Sequence, residues 1–421
     1  MERYEQKLNF MIRLRDYQEY IVKKGTKVLQ DKGFVYLAME VRTGKTLTAL
    51  SIADRVGAQK VLFITKKKAI PSIEDDFEKL DCAMYLHVTN YESLHKVHYD
   101  LEWDIIICDE AHSLGAFPKP SKRARDVKMR IVRSHAKVIL LSGTPTPESY
   151  SQIYHQVYGI PGNPFQEFVN FYKFAHTHVY VTEKMINSMR IRDYSNGKPT
   201  IMEEMKPYLI SYSQKEAGFK VQTNERVLEI EMKDSTYKLA RLLKKEKVIE
   251  GKHEVLLADT PVKLMTKLHQ IYSGTVKFES GNAEVLDFTK AKFIANKFKG
   301  MKVGIFYVFK AELEALKHAY GDNITTSLAE FETTNKSIAL QIVSGREGIS
   351  LRQAECLVYY NIAFSATSYW QSRDRMTTKD TLQNDVYWVF SRHGIEKQIY
   401  KAVTKKRDYT LSHFKKDLFN L

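Results

Sequence analysis

A chain of 421 residues is too long for one ordinary hydrophobic core and long enough for two domains of typical size. Its 43% hydrophobic and 27% charged residues match a soluble globular protein, and the absence of any run of about 18 apolar residues argues against a membrane span. The formal net charge of +15 points to a polyanionic partner, nucleic acid first, with a generally basic surface as the plainer alternative.

In chain order, the N-terminal stretch MERYEQKLNFMIRLRDYQ is charged throughout and lacks the apolar centre of a signal peptide. Cys82, Cys108 and Cys356 are too far apart for a disulfide framework or a zinc site of usual spacing, so a cytoplasmic, reducing setting is expected. Strand-length apolar runs follow, each succeeded by a helical pattern: FVYLAM (34–39), KVLFIT (60–65), DIIICDE (104–110) and KVILLSG (137–143). A second set comprises KVGIFYVF (302–309), IALQIVS (338–344), CLVYYN (356–361) and NDVYWVF (384–390). Continuous apolar strands alternating with helices indicate parallel sheets covered on both faces. The expected fold is therefore α/β, with two tandem domains, residues 1–220 and 221–421, and a helical elaboration at about 150–215 in the first. ERVLEIEM (225–232) alternates apolar and acidic residues as a half-exposed strand does.

Three short motifs sit at the ends of the first-half strands. MEVRTGKT (39–46) closes FVYLAM with Gly-Lys-Thr and opens a helical pattern, the arrangement of a phosphate loop. There Arg42, Thr43 and Gly44 would line the loop, Lys45 would reach the outer phosphates and the Thr46 hydroxyl would ligate Mg²⁺. WDIIICDEAH (103–112) ends a strand in two carboxylates; Asp109 would hold Mg²⁺ through water and Glu110 would polarise an attacking water. An acidic helix N-terminus would give the same pair with no catalytic role. LLSGTPTPES (140–149) places Ser142 and Thr144 where hydroxyls could relay between a nucleotide and another surface, or simply form a turn.

Together these motifs resemble, in order and spacing, the superfamily-two helicase-like ATPases, nearest the Swi/Snf type of DNA translocase. LRDYQ (14–18) resembles the element whose glutamine, here Gln18, reads adenine. VLFITKKKAI (61–70) and VTNYESL (88–94) resemble DNA-side motifs, implying backbone contacts from Lys66, Lys67, Lys68 and Thr89. IVSGREGISLRQAE (342–355) resembles motif V, adding Ser344, Gly345 and Ser350. YWQSRDRM (369–376) resembles motif VI, with Gln371 in coupling and Arg375 as the cation at the γ-phosphate; His112, Ser142 and Thr144 complete the coupling set. The resemblance implies two RecA-like domains, each a mainly parallel sheet flanked by helices, with ATP in a cleft between them and Mg²⁺ as cofactor.

Two departures stand out. Motif VI of the family carries a second arginine where this chain has Thr378, leaving Arg375 alone or assisted by Arg373 or Lys379. The Swi/Snf phosphate loop has glycine at the position of Arg42, which could meet a phosphate, Glu40 or solvent. KPSKRARDVKMR (119–130) could contact phosphates or form an exposed helix face. The expected partner is duplex, forked or branched DNA, held mainly through phosphates, with replication or recombination proteins as further partners, no membrane, and a monomer in a bacterial or phage-infected cytoplasm. Alternatives are a nucleotide-gated DNA clamp with weak hydrolysis, an RNA helicase, which SGTP disfavours, and a restriction-enzyme motor subunit.

Overall fold

A computed structural model describes residues 13–80, 82–98, 100–186, 189–218, 222–251, 254–342, 351–365, 368–369, 372 and 383–405. The chain divides into two units, Met1–Phe219 and Lys220–Leu421.

In the first unit the apolar runs become strands β1 (Phe34–Met39), β2 (Lys60–Thr65), β3 (Tyr85–Asn90), β4 (Ile105–Cys108) and β5 (Lys137–Leu141). They run parallel in the order β3-β2-β4-β5-β1, with Phe34 beside Val138 and Val61 beside Ile105. Alternate side chains serve opposite faces, which is why the runs are apolar throughout. Val35, Leu37, Phe63, Ile107 and Ile139 pack beneath α1 (Asp16–Lys32) and α2 (Lys45–Arg55), with Ile21, Val22, Leu29 and Ile52. Phe34, Tyr36, Leu62, Ile106 and Leu140 enter the other core with Trp103, Ile131, Tyr154 and Phe174. Two further helices flank the sheet, α3 (Ile70–Leu80) and α4 (Lys122–Ser134), the latter capped by Ser121, which accepts from Ala124 N at 3.1 Å.

The elaboration is not purely helical. It contains α5 (Ile153–Val157), α6 (Phe171–His178), an antiparallel hairpin of β6 (Thr182–Ile186) and β7 (Met189–Asp193), and α7 (Thr200–Met205). It ends in β8 (Leu209–Tyr212), which pairs parallel to β1 and becomes the sixth strand of the main sheet. LISY is too short and too mixed to announce a core strand; its place depends on the free edge of β1.

The second unit repeats the plan. Its first strand is β9 (Gln222–Ile230), followed by α8 (Asp234–Glu246), a hairpin of β10 (Val248–Glu250) and β11 (Val255–Leu257), and α9 (Pro261–Tyr272). Helix α9 starts with Thr260 accepting from Lys263 N at 3.3 Å and Pro261 in its first turn, a pairing that stops the chain and fixes the entry. A second hairpin, β12 (Thr275–Lys277) and β13 (Ala283–Val285), precedes α10 (Thr289–Lys297). Then come β14 (Val303–Tyr307), α11 (Lys310–Tyr320), β15 (Ile324–Thr325), α12 (Leu328–Thr333), β16 (Ser337–Gln341), β17 (Cys356–Tyr359), β18 (Gln383–Ser391) and α13 (Glu396–Val403). The parallel sheet has the order β15-β16-β14-β17-β18-β9. Strand β9 is its edge, and ERVLEIEM alternates because one face is covered: Ile230 and Met232 are buried while Glu229 and Glu231 are exposed. Both units are RecA-like α/β domains, mainly parallel sheets flanked by helices.

Candidate active site

Strand β1 ends at Met39 and α2 begins at Lys45, so residues 40–44 turn the chain at the C-terminal edge of the sheet. The turn uses two left-handed residues, Arg42 at φ 62° and Gly44 at φ 79°. Glycine adopts this conformation without strain, whereas a side chain costs about 1–2 kcal/mol, the physical reason glycine suits the Arg42 position. At Gly44 space is lacking as well: a Cβ would stand 2.3 Å from the Gln18 amide nitrogen. Thr43 is fully buried and its hydroxyl donates to Glu40 O at 2.7 Å. The Lys45 ammonium donates to Met39 O at 3.0 Å and to Glu40 O at 3.4 Å, so it is folded over the loop's own carbonyls. Thr46 follows as the second residue of α2, half-buried.

Gln18 lies on α1 against this loop. Its side chain accepts from Arg15 N at 2.9 Å and donates to Gly44 O at 3.4 Å, while Tyr17 donates to Thr43 O at 3.1 Å. The segment after β8 closes the loop from another side: Gln214 N donates to the Glu40 carboxylate at 2.8 Å, and the Gln214 amide donates to Val41 O at 3.0 Å.

Strand β4 lies next to β5, and β5 next to β1, so its end opens beside the same loop. Asp109 accepts from the Thr65 hydroxyl at 2.8 Å, and Tyr91 donates to the Asp109 carbonyl at 2.5 Å. The chain then reverses at Glu110, φ 49°, into a short 3-10 turn, Ala111–Leu114. Burial and the neighbouring Glu110 carboxylate push Asp109 up to about 6, against Lys45 and Thr65. Burial would also raise Glu110, but the His112 hydrogen bond and charge, with Lys45 and Lys66, outweigh it and bring Glu110 down to about 2. Lys45 therefore acts electrostatically on both carboxylates.

His112 Nδ1 lies 3.2 Å from Glu110 Oε2 and 3.0 Å from Ser142 Oγ. A carboxylate only accepts, so Nδ1 carries a proton and donates to Glu110. Ser142 is fully buried and accepts from Thr144 N at 3.1 Å. The Thr144 hydroxyl is buried with no hydrogen-bond partner among the described residues. The carboxylate pair and the SGTP loop are thus one connected polar unit, drawn from strands β4 and β5.

The donor chemistry fits Mg²⁺–nucleotide. Thr46 and Asp109 offer hard oxygens, and a Mg²⁺ site uses one or two such ligands with phosphates and water. Among the described residues there is no cluster of three or more His, Cys, Asp or Glu side chains able to hold a metal alone.

The lysine run divides. Lys67 and Lys68 are exposed on the turn after β2, whereas Lys66 is half-buried and its charge reaches Glu110. Thr89 is only 7% exposed at the end of β3. The basic stretch 119–130 is largely α4, and Arg130 is structural: buried, it donates to the carbonyls of Leu94, Val97 and His98. Ser344, Gly345, Ser350, Gln371, Arg375 and Thr378 lie outside the described residues. Sequence reasoning missed Thr65, Tyr91, Gln214, Tyr36 and Gln156. Only Tyr36 carried a signal, as the sole hydroxyl in an otherwise apolar buried strand.

Comparison with known families gives a match to the SNF2-related domain over residues 59–275, more than half of the chain. Residues 11–90 match the type III restriction enzyme, res subunit. Among solved structures, the Sulfolobus solfataricus SWI2/SNF2 ATPase core in complex with dsDNA is similar at 15% identity and a TM-score of 0.42, covering 97% of this chain and 93% of that one. The Sulfolobus solfataricus SWI2/SNF2 ATPase core domain is similar at 15% identity and a TM-score of 0.42, covering 94% and 89%. No curated protein matches the chain.

Proposed function

The chain belongs to the SNF2-related domain family, and on that premise we propose that it is an ATP-driven motor that translocates on or unwinds duplex or branched DNA. One observation carries this reading: Lys45, the Asp109–Glu110 pair and the His112–Ser142 contact converge at the C-terminal ends of three adjacent parallel strands. That edge is where open α/β sheets bind their ligands.

Lys45 leaves the Met39 and Glu40 carbonyls to bind the outer phosphates, and the first N–H groups of α2 face the same charge. Thr46 and Asp109 would hold Mg²⁺, which would neutralise charge on the phosphates. Glu110 is ionised at neutral pH and orients the attacking water, its position set by the His112 Nδ1–H. Bound Mg²⁺–ATP supplies the phosphoanhydride and the cation that neutralises it. Gln18, which bonds Gly44 O of the loop, is the proposed reader of the adenine. His112, Ser142 and Thr144 couple the carboxylate to the rest of the domain, and Lys67 and Lys68 contact the DNA backbone. Arg375 is the proposed cation at the γ-phosphate. The proposed setting is fork remodelling or branch migration in a bacterial or phage-infected cytoplasm.

Thr378 favours a second reading, a nucleotide-gated DNA clamp, because threonine cannot neutralise developing phosphate charge where the family has arginine. The deciding experiment is ATP hydrolysis at low salt with no nucleic acid, duplex, forked and single-stranded DNA, and RNA, with Glu110→Gln as control. Stimulation by duplex or forked DNA that disappears in the control is the expected result. ATP-dependent DNA binding with negligible hydrolysis on every ligand would replace the motor by the clamp.

A further inference from the structure

A tyrosine in the middle of FVYLAM needs an explanation. Tyr36 is 0% exposed, and phenylalanine would fill the same volume without burying a hydroxyl. The hydroxyl donates to Gln156 Oε1 at 2.7 Å. Gln156, only 3% exposed on α5, sends its amide N–H to Pro145 O at 2.8 Å, within the SGTP loop, and to Gln152 O at 3.1 Å. The start of helix α5 also approaches the Asp-Glu-Ala-His turn: a Cβ at Gly115, just past that turn, would lie 2.7 Å from the carbonyl of Gln152, the residue before the helix, and 3.0 Å from the Gln156 amide nitrogen. Only glycine permits so close an approach.

We propose that Tyr36 and Gln156 are positioning residues for Glu110, acting through the SGTP loop and His112, and that they tie the carboxylate to α5, the first helix of the elaboration. Two paths meet at the SGTP loop. Tyr36 donates to Gln156 and Gln156 donates to Pro145 O, while His112 Nδ1 contacts Ser142 Oγ from the other side and donates to Glu110. Burial raises the Tyr36 phenol well above its ordinary range, against a hydrogen bond with Ser142, so the phenol stays protonated and remains a donor. Buried hydrogen bonds of this kind hold Tyr36, Gln156 and the loop at Pro145 in a single arrangement. The inference rests on the reading of Glu110 as the water-orienting carboxylate, but its first test does not.

That test is ring ¹⁵N spectroscopy of histidine-labelled full-length protein, with the His112 signal assigned by His112→Asn. Tyr36→Phe and Gln156→Met are expected to move the His112 ring resonances. Tyr154→Phe, on the same helix but bonded to Phe168 O at 2.7 Å, is expected to leave them in place. An unmoved His112 ring in both relay variants overturns the proposal, whether or not the protein hydrolyses ATP. The second test is a double-mutant cycle on DNA-stimulated hydrolysis. Tyr36→Phe should lower kcat by about tenfold with KM for ATP unchanged, the effect of removing one buried hydrogen bond. In a His112→Asn background it should add almost nothing, because both changes break one path. Fully additive losses would overturn the relay. Wild-type protein inactive on every nucleic acid would sink the motor reading and leave the spectroscopic result to decide this one.

Discussion

Replacing Asp109 by Asn should stabilise the first unit at neutral pH while removing hydrolysis. Burial and Glu110 raise Asp109 from 3.8 to about 6. A carboxyl raised in the folded state contributes stability that is fully present below its unfolded value and is lost as pH rises through the folded one, here between 3.8 and about 6. The shift corresponds to about 3 kcal/mol at pH 8, the cost of ionising Asp109 within the fold. Asparagine cannot ionise, has the same shape and keeps an oxygen for the Thr65 hydroxyl, now at 2.8 Å. The variant should therefore be about 1–3 kcal/mol more stable than wild type at pH 8 and level with it near pH 4. Cys108 is 0% exposed in β4, so pulsed thiol labelling of the Cys108 peptide across a urea series reads this unit's unfolding directly. A variant no more stable than wild type at pH 8, or a gap of equal size at both pH values, would refute the reasoning.

In the second unit, Lys290 and Glu396 form a fully buried pair at 3.0 Å, so Lys290→Met should cost about 3–5 kcal/mol by leaving Glu396 unpaired. Labelling of Cys356, 1% exposed, should report that loss, and adding Glu396→Gln should recover much of it. His135 is an exposed residue at φ 50° that ends α4, and His135→Gly should raise stability by about 0.5–1 kcal/mol in the Cys108 assay. Lys67→Ala with Lys68→Ala should weaken DNA binding irrespective of sequence. It should also make the slope of log K against log salt shallower by about 0.9 for each phosphate no longer neutralised, measured by fluorescence anisotropy.

The amino-acid sequence by itself determined the two parallel sheets and the motifs at their edges. Residues such as Val35 and Tyr36, or Ile106 and Ile107, face opposite cores, so each buried strand must be apolar throughout, and that pattern is local. The turn proposed to bind phosphate was legible for a similar reason, since Gly44, Lys45 and Thr46 lie within a few residues of one strand end. What only the tertiary structure decided is who meets whom among polar groups far apart in the chain. LISY becomes the edge strand of the first sheet because β1 has a free edge for it. Arg130 leaves the basic surface because three carbonyls of residues 94–98 converge on it. Tyr36 finds Gln156, and His112 finds Ser142, only after β4, β5 and β1 stand side by side. Hydrophobic periodicity is a property of consecutive residues, whereas a buried hydrogen bond depends on distances that exist only once the sheet has closed over its helices.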